Sequence, residues 1–135
     1  MTVALDVLSS KSAPCTTRGD LLAILPPSIR ATAEDYLLYQ PRMAAALRLL
    51  ACVETVPWEA AVRSSQIDAW PLLTSIGPYR SDENRDRVLV EAAACFVDPD
   101  NVHIPLALIP GRFCEDEDFA ILVDALRISR EGLTS

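Results

Sequence analysis

Five side chains have the chemistry for metal binding or nucleophilic catalysis, but their spacing fits neither role. They are Cys15, Cys52, Cys95, His103 and Cys114. Cys95, His103 and Cys114 could surround zinc with a carboxylate, yet spacings of eight and eleven residues do not resemble a finger, ribbon or knuckle. A catalytic Cys–His pair would need an orienting group and an oxyanion hole, and no pattern here supplies them. We therefore predict four reduced thiols, no metal and no cofactor.

The acidic turn at 98–101 is a second candidate for a metal site. Asp98 and Asp100 stand two residues apart, as calcium ligands do. However, Val102 occupies the next ligand position, no glycine follows it, and the closing glutamate is missing. We interpret the segment as a proline-containing turn.

An acidic run formed by Glu115, Asp116, Glu117 and Asp118 precedes an apolar helix. Acidic residues in this position stabilise a helix N-terminus by about 0.3–1 kcal/mol each, which is the simplest reason for the run. It also offers an acidic surface to a basic partner. If these four side chains point into solvent they favour an interaction protein, and if they converge on a cleft with His103 they favour an enzyme or a ligand-binding protein.

The charge of the chain argues against two classes of partner. Its net charge is −7 and its pI is about 4.6. Residues 98–135 carry three basic and eight acidic side chains, a net of −5, so the acidity is concentrated there. Nucleic acids and anionic membranes bind clustered positive charge, and we expect neither as a partner. The first residues lack a basic segment and are interrupted by Asp6, so no secretory signal is expected and we predict a cytoplasmic location.

Other functional motifs are weak. The four glycines are isolated, so no phosphate-binding loop is expected. The only lysine, Lys11, lies in a serine-rich stretch, which disfavours lysine-based covalent catalysis. Residues 58–76 have the length of a helix-turn-helix, but their turn lacks glycine, Pro71 interrupts the second helix, and Arg63 is their only basic residue.

Ten prolines divide the chain and predict an all-α fold, a bundle of six or seven short-to-medium helices. Thr17 is expected to cap the first helix, Ser81 to cap a long one, and Gly132 to end the last. Residues 102–109 form either a short extended segment or a one-turn helix. Residues 1–17 are expected to be a loosely ordered lead-in to a single helical domain, 18–135. The expected helices are 19–25, 27–39, 41–54, 58–67, a piece at 69–76 broken by Pro71, 82–97 and 115–130.

Three of these helices, 41–54, 82–97 and 115–130, are apolar on more than one face. One central helix can be enclosed by the others, whereas three cannot easily be. The surplus indicates either a buried interface or a core with one central helix and two weakly apolar second faces. In the last helix Phe119, Leu122, Val123 and Leu126 form one stripe, and Ile121, Ala125 and Ile128 form another. The expected interface of a homodimer is Phe119, Ile121, Ala125 and Ile128.

These observations lead to three functional hypotheses. The first is a non-enzymatic protein-interaction module, a small acidic adaptor, chaperone-like protein or inhibitor-type regulator, which binds a protein partner or itself as a homodimer. The alternative is a small helical enzyme or ligand-binding bundle with a pocket near Trp58, Trp70 and Tyr79. A DNA-binding regulator is the third.

Overall fold

Prolines and capping side chains divide the chain into short helices. The computed structural model describes residues 11–63, 65–75 and 85–135, and in that part of the chain there are eight α-helices and no β-strand. The all-α prediction is confirmed. Two 3₁₀ helices, Leu37–Tyr39 and Leu106–Leu108, lie between α-helices. The α-helices are α1 (Arg18–Ile24), α2 (Pro27–Asp35), α3 (Pro41–Leu50), α4 (Trp58–Ala61), α5 (Ala69–Ser75), α6 (Arg85–Val97), α7 (Ile109–Arg112) and α8 (Asp116–Glu131).

Helix α1 begins with a capping box. The Thr17 hydroxyl accepts a hydrogen bond from the backbone N–H of Asp20 at 3.0 Å, and the Asp20 carboxylate accepts one from the N–H of Thr17 at 3.0 Å. A third N–H, that of Thr16, also donates to this carboxylate at 3.0 Å. These bonds satisfy N–H groups that a helix start leaves without partners. They also lower the pKa of Asp20, chiefly through the backbone N–H of Thr17.

Replacing Thr17 by alanine is expected to lower the free energy of unfolding by about 1 kcal/mol, because the N–H of Asp20 loses its acceptor. The measurement is urea denaturation followed by circular dichroism. Thr17→Ser keeps the hydroxyl and is the control that should remain close to wild type. Equal losses in both variants would show that the methyl group, rather than the cap, stabilises this turn.

Several helix boundaries differ from those predicted, each for a local reason. The helix expected over 27–39 is interrupted at Tyr36, whose φ of −145° and ψ of −50° are not helical. The helix expected over 41–54 ends at Leu50, because the next turn tightens into i→i−3 hydrogen bonds such as Cys52 N–H to Leu49 C=O. Pro71 does not break α5. It occupies the third position of that helix, where its missing N–H needs no acceptor.

The remaining predicted elements differ in length or lie outside the described residues. The helix expected over 58–67 is a single turn, after which Val62 and Ile67 form an isolated antiparallel bridge. Residues 102–105 form no regular structure, and the 3₁₀ helix and α7 follow them in place of a strand. The long helix ends at Val97 and the last helix stops at Gly132, which has a φ of +78°, as predicted. Ser81, the expected N-cap of the helix that ends at Val97, lies outside the described residues. Residues 1–10 of the expected lead-in also lie outside them.

Helix α3 is the central helix of the core. All its residues from Met43 to Leu50 are buried, and it packs most extensively against α8 and then against α6. Helices α3 and α8 run antiparallel, since Pro41 lies beside Gly132 while Arg48 contacts Asp124. None of the helices formed by the described residues combines the length and apolarity required to cross a bilayer.

The inward face of α8 corrects the predicted interface. Ile121, Ala125 and Ile128 have no exposed surface, because this stripe packs into the core that α8 forms with α3 and α6. They are therefore not available to a partner. Of the four predicted interface residues only Phe119 is exposed, and it belongs to the other stripe of the helix.

Candidate interaction surface

The outward face of α8 carries an apolar stripe with a charge at each end. Asp116, Phe119, Val123, Leu126 and Arg130 follow one another at spacings of three and four residues, and all five are exposed. The three apolar side chains are 46%, 47% and 51% exposed. We call these five residues the seam. The seam faces away from the core because the second stripe, on the opposite side of α8, is buried in it.

An apolar cleft adjoins the seam. It has a volume of about 450 Å³, and Leu126 belongs both to its wall and to the seam. Leu106 and Leu108, which are 83% and 45% exposed, lie in the 3₁₀ helix between the lining residues Ile104 and Ile109. The cleft is lined by α6, the loop after it, the first residue of α7 and α8, with Arg42 from α3: Arg42, Ala92, Cys95, Phe96, Pro99, Val102, His103, Ile104, Ile109, Leu122, Leu126 and Ser129.

The four residues of the predicted acidic surface, at the start of α8, differ in their exposure to solvent. Glu115, Asp116 and Glu117 are exposed, whereas Asp118 is buried. None of the four lines the cleft with His103. The condition stated for an interaction protein is therefore met by three of the four side chains, and Asp118 does not meet it.

Of the residues considered for catalysis, Cys95 and His103 both line the cleft, and each is bonded to the backbone of the segment after α6. Burial raises the pKa of the Cys95 thiol to about 11, with a further increase from Glu91, against the lowering effect of the Ile104 N–H. His103 donates from Nε2 to the carbonyl oxygen of Pro99 at 2.9 Å. In the described part of the chain, no three His, Cys, Asp or Glu residues meet in a group that could hold a metal ion.

Alkylation of native protein at pH 8 is expected to modify Cys114 well before Cys15 or Cys95. Cys114 is exposed, whereas burial raises the pKa of Cys15 and of Cys95 to about 11, which leaves about one thiol in a thousand ionised at this pH. Iodoacetamide labelling with peptide mass spectrometry measures the order. Unfolded protein in urea is the control, in which the four cysteines should react at similar rates. Early modification of Cys95 in the native state would contradict this account of the cleft.

Of the residues predicted to form an aromatic pocket, Trp58 and Trp70 do not share either hollow that Trp58 lines. Trp58 lines two hollows of about 350 and 490 Å³, one beside Lys11 and one beside Ser28. Trp70 belongs to neither and is 76% exposed. Tyr79 lies outside the described residues.

A buried ionic cluster, which sequence reasoning missed, joins α3, α8 and the N-terminal segment. Arg48 is 0% exposed and donates from Nε to Asp124 at 2.7 Å, from Nη1 to the Cys52 sulfur at 3.1 Å and from Nη2 to the Ala13 carbonyl at 3.0 Å. We call Arg48, Asp124, Arg127, Cys15 and Cys52 the Arg48 cluster. The sequence held one signal of this cluster. Arg48 and Asp124 are charged residues whose neighbours on both sides are apolar.

Both central groups of the Arg48 cluster are charged. Burial raises the pKa of Asp124, but hydrogen bonds from the Cys15 N–H, Arg48 and Arg127 outweigh it, and the pKa is lowered overall. Burial lowers the pKa of Arg48, and its bonds to Asp124 and Cys52 reverse that effect, so its pKa is raised. Charge-assisted hydrogen bonds of this kind compensate the loss of hydration that burial imposes on each ion.

The Arg48 cluster also holds residues 11–17 against the domain, in contrast to the loose lead-in that was expected. The Cys15 N–H donates to Asp124 at 3.0 Å, the Cys15 carbonyl accepts from Arg127, and Cys15 is 2% exposed. Thr17 and Thr134 form a parallel bridge next to it, in which the Arg18 N–H donates to Thr134 at 2.8 Å. The N-terminal segment and the end of α8 are thereby fixed to one another.

Comparison of the chain with known protein families, with curated proteins and with solved structures finds no match.

Proposed function

We propose that this protein is a non-enzymatic protein-interaction module and that α8 presents its binding surface. The observation that carries the proposal is the seam, in which Phe119, Val123 and Leu126 are each about half exposed on one helix face. Contiguous apolar side chains on a helix are a frequent mode of protein recognition. The exposed carboxylates at the start of α8 add the polar border that such surfaces have.

The helix that presents the seam is anchored in the core, which suits a binding surface. Helix α8 packs extensively on α3 and is tied to it by the Arg48–Asp124 ion pair. A preordered surface loses less conformational entropy on association than a flexible one. An enzyme with Cys95 as its nucleophile is disfavoured, because a thiol with a pKa of about 11 is a poor nucleophile at neutral pH.

A small apolar ligand in the cleft is the second candidate, and the volume of about 450 Å³ favours it, since ligand pockets span roughly 300–1,000 Å³. The two candidates separate by mutation. Ala92→Phe would fill the cleft and abolish binding of a small ligand, whereas Phe119→Glu lies outside the lining and would leave it intact.

Affinity capture from the native host tests the interaction proposal. Tagged wild-type protein, a Phe119→Glu/Val123→Glu variant and a Trp70→Glu control are expressed beside the untagged native chain. Trp70 is an exposed apolar residue away from the seam, so its variant matches the loss of apolar surface. Formaldehyde cross-linking before lysis preserves reversible contacts, so we expect wild type and Trp70→Glu to retain the same protein and the double variant to lose it. Equal capture by all three, or capture of nothing, would contradict the proposal.

A further inference from the structure

We propose that the partner on the seam is a second copy of this chain, with the two α8 helices antiparallel across a two-fold axis at Val123. The proposal rests on the proposed function, since it names the occupant of the same surface. In a two-fold dimer the same patch is used by both copies, so the patch must complement itself when reversed. The seam meets this requirement in its order of charged and apolar residues.

The charge pattern selects the antiparallel direction. The seam reads acidic, apolar, apolar, apolar, basic from Asp116 to Arg130. Reversal about Val123 places Asp116 of one copy opposite Arg130 of the other, twice over, and brings Phe119 to within one residue, about 1.5 Å along the axis, of the level of Leu126. Parallel pairing would instead place Asp116 opposite Asp116 and Arg130 opposite Arg130. Antiparallel helices also align opposite ends of their dipoles, which adds to the preference.

The cleft gives the paired helix a place for an anchor. Leu126 lies at its edge, so Phe119 of the second copy, which faces Leu126, comes next to an apolar hollow of about 450 Å³. An aromatic side chain that fills such a hollow is a common centre of binding energy in protein interfaces.

The expected dimer is weak and reversible. The contact consists of one helix face and the edge of a cleft, and stable interfaces bury more than about 1,000 Å² in total. We expect a dissociation constant of about 10 μM, so the dimer should separate into monomers on dilution.

Sedimentation equilibrium of the full chain between about 2 and 200 μM tests the pairing and its direction. Arg130→Glu and Asp116→Arg each replace two attractive contacts by two repulsive ones, and each is expected to weaken the dimer about tenfold. The double variant restores attraction and should return the dissociation constant close to that of wild type. Circular dichroism is the control for folding. We expect every variant to be folded, because positions 116 and 130 are exposed.

Cysteine cross-linking in a Cys114→Ser background provides a second measurement. Val123→Cys is expected to form a disulfide between copies, because the axis places the two residues together. Asp116→Cys should not form one, since seven residues of helix on each side of the axis separate the two sulfurs by about 21 Å. Cross-linking of Asp116→Cys, with or without cross-linking of Val123→Cys, would overturn the antiparallel arrangement.

The failure of this inference differs from the failure of the proposed function. A wild-type protein that stays monomeric to 200 μM would overturn the homodimer, and so would a double variant that does not recover. If another protein is then captured through Phe119 and Val123, the interaction module stands with a different partner. If neither self-association nor capture is found, both proposals are wrong.

Discussion

Replacing Asp124 by alanine is expected to lower the free energy of unfolding by about 3–5 kcal/mol, because it leaves Arg48 charged, buried and without its carboxylate. The N–H of Cys15 and the guanidinium of Arg127 lose the same acceptor. For a chain of this size we expect the melting temperature to fall by about 10 °C or more. Thermal and urea denaturation followed by circular dichroism measure both quantities.

Two variants show whether the loss comes from the unpaired charge. Asp100→Ala makes the same change at an exposed turn and should stay within about 0.5 kcal/mol of wild type. Arg48→Met/Asp124→Leu removes both charges and should be more stable than Asp124→Ala, since no ion is then left buried alone. A double variant as unstable as the single one would show that packing around Arg48, rather than its charge, dominates.

The same carboxylate predicts how stability changes with pH. The pKa of Asp124 in the folded chain lies below its ordinary value of 3.8. A lowered folded pKa means that the stabilisation is complete above the unfolded value and is lost as the pH falls through the folded one. Wild type should therefore lose stability below about pH 4 more steeply than Asp124→Asn, which cannot titrate. Parallel slopes for the two proteins would contradict the assignment.

Replacing Ile121 by aspartate is expected to unfold the chain, whereas replacing Leu126 by aspartate should leave it folded. Ile121 has no exposed surface, so the substitution both removes the packing of the isoleucine and buries an unpaired carboxyl group, and the two losses together approach the roughly 5–15 kcal/mol by which domains are stable. Leu126 is 51% exposed, so a charge at that position remains hydrated. Circular dichroism and proteolysis compare the two.

The comparison also separates the two stripes of α8 by function. Leu126→Asp should be folded and should lose self-association, because a charge is then placed in the seam. A folded, monomeric Ile121→Asp variant would reverse the assignment and return the interface to Ile121, Ala125 and Ile128.

The sequence predicted helices and their ends better than it predicted which helix face is buried. Thr17, Gly132 and the prolines act locally, so their effects are visible in a few neighbouring residues. The two stripes of α8 are similar in hydrophobicity, and periodicity cannot distinguish a stripe that meets α3 from one that meets solvent. That choice is made by tertiary contacts, above all by Asp124, which has to reach Arg48.

The seam with its cleft and the Arg48 cluster could not be predicted from the sequence, for related reasons. Arg48 and Asp124 are 76 residues apart, and no local pattern shows that their helices are antiparallel neighbours. The cleft depends on how α6, α8 and the loop 98–109 are arranged, which is again a property of packing. The charges at 116 and 130 were visible, but their meaning as two ends of one seam required the orientation of α8.

The contacts that hold residues 13–17 have a consequence for the order of folding. They join residues separated by 109, 112 and 118 positions, so almost the whole chain must be arranged before they can form. Closing so long a loop is entropically unfavourable until α3 and α8 have already paired. We therefore expect these contacts to form in the last stage of folding and to break in the first stage of unfolding. Variants that weaken them should accelerate unfolding and leave the refolding rate nearly unchanged.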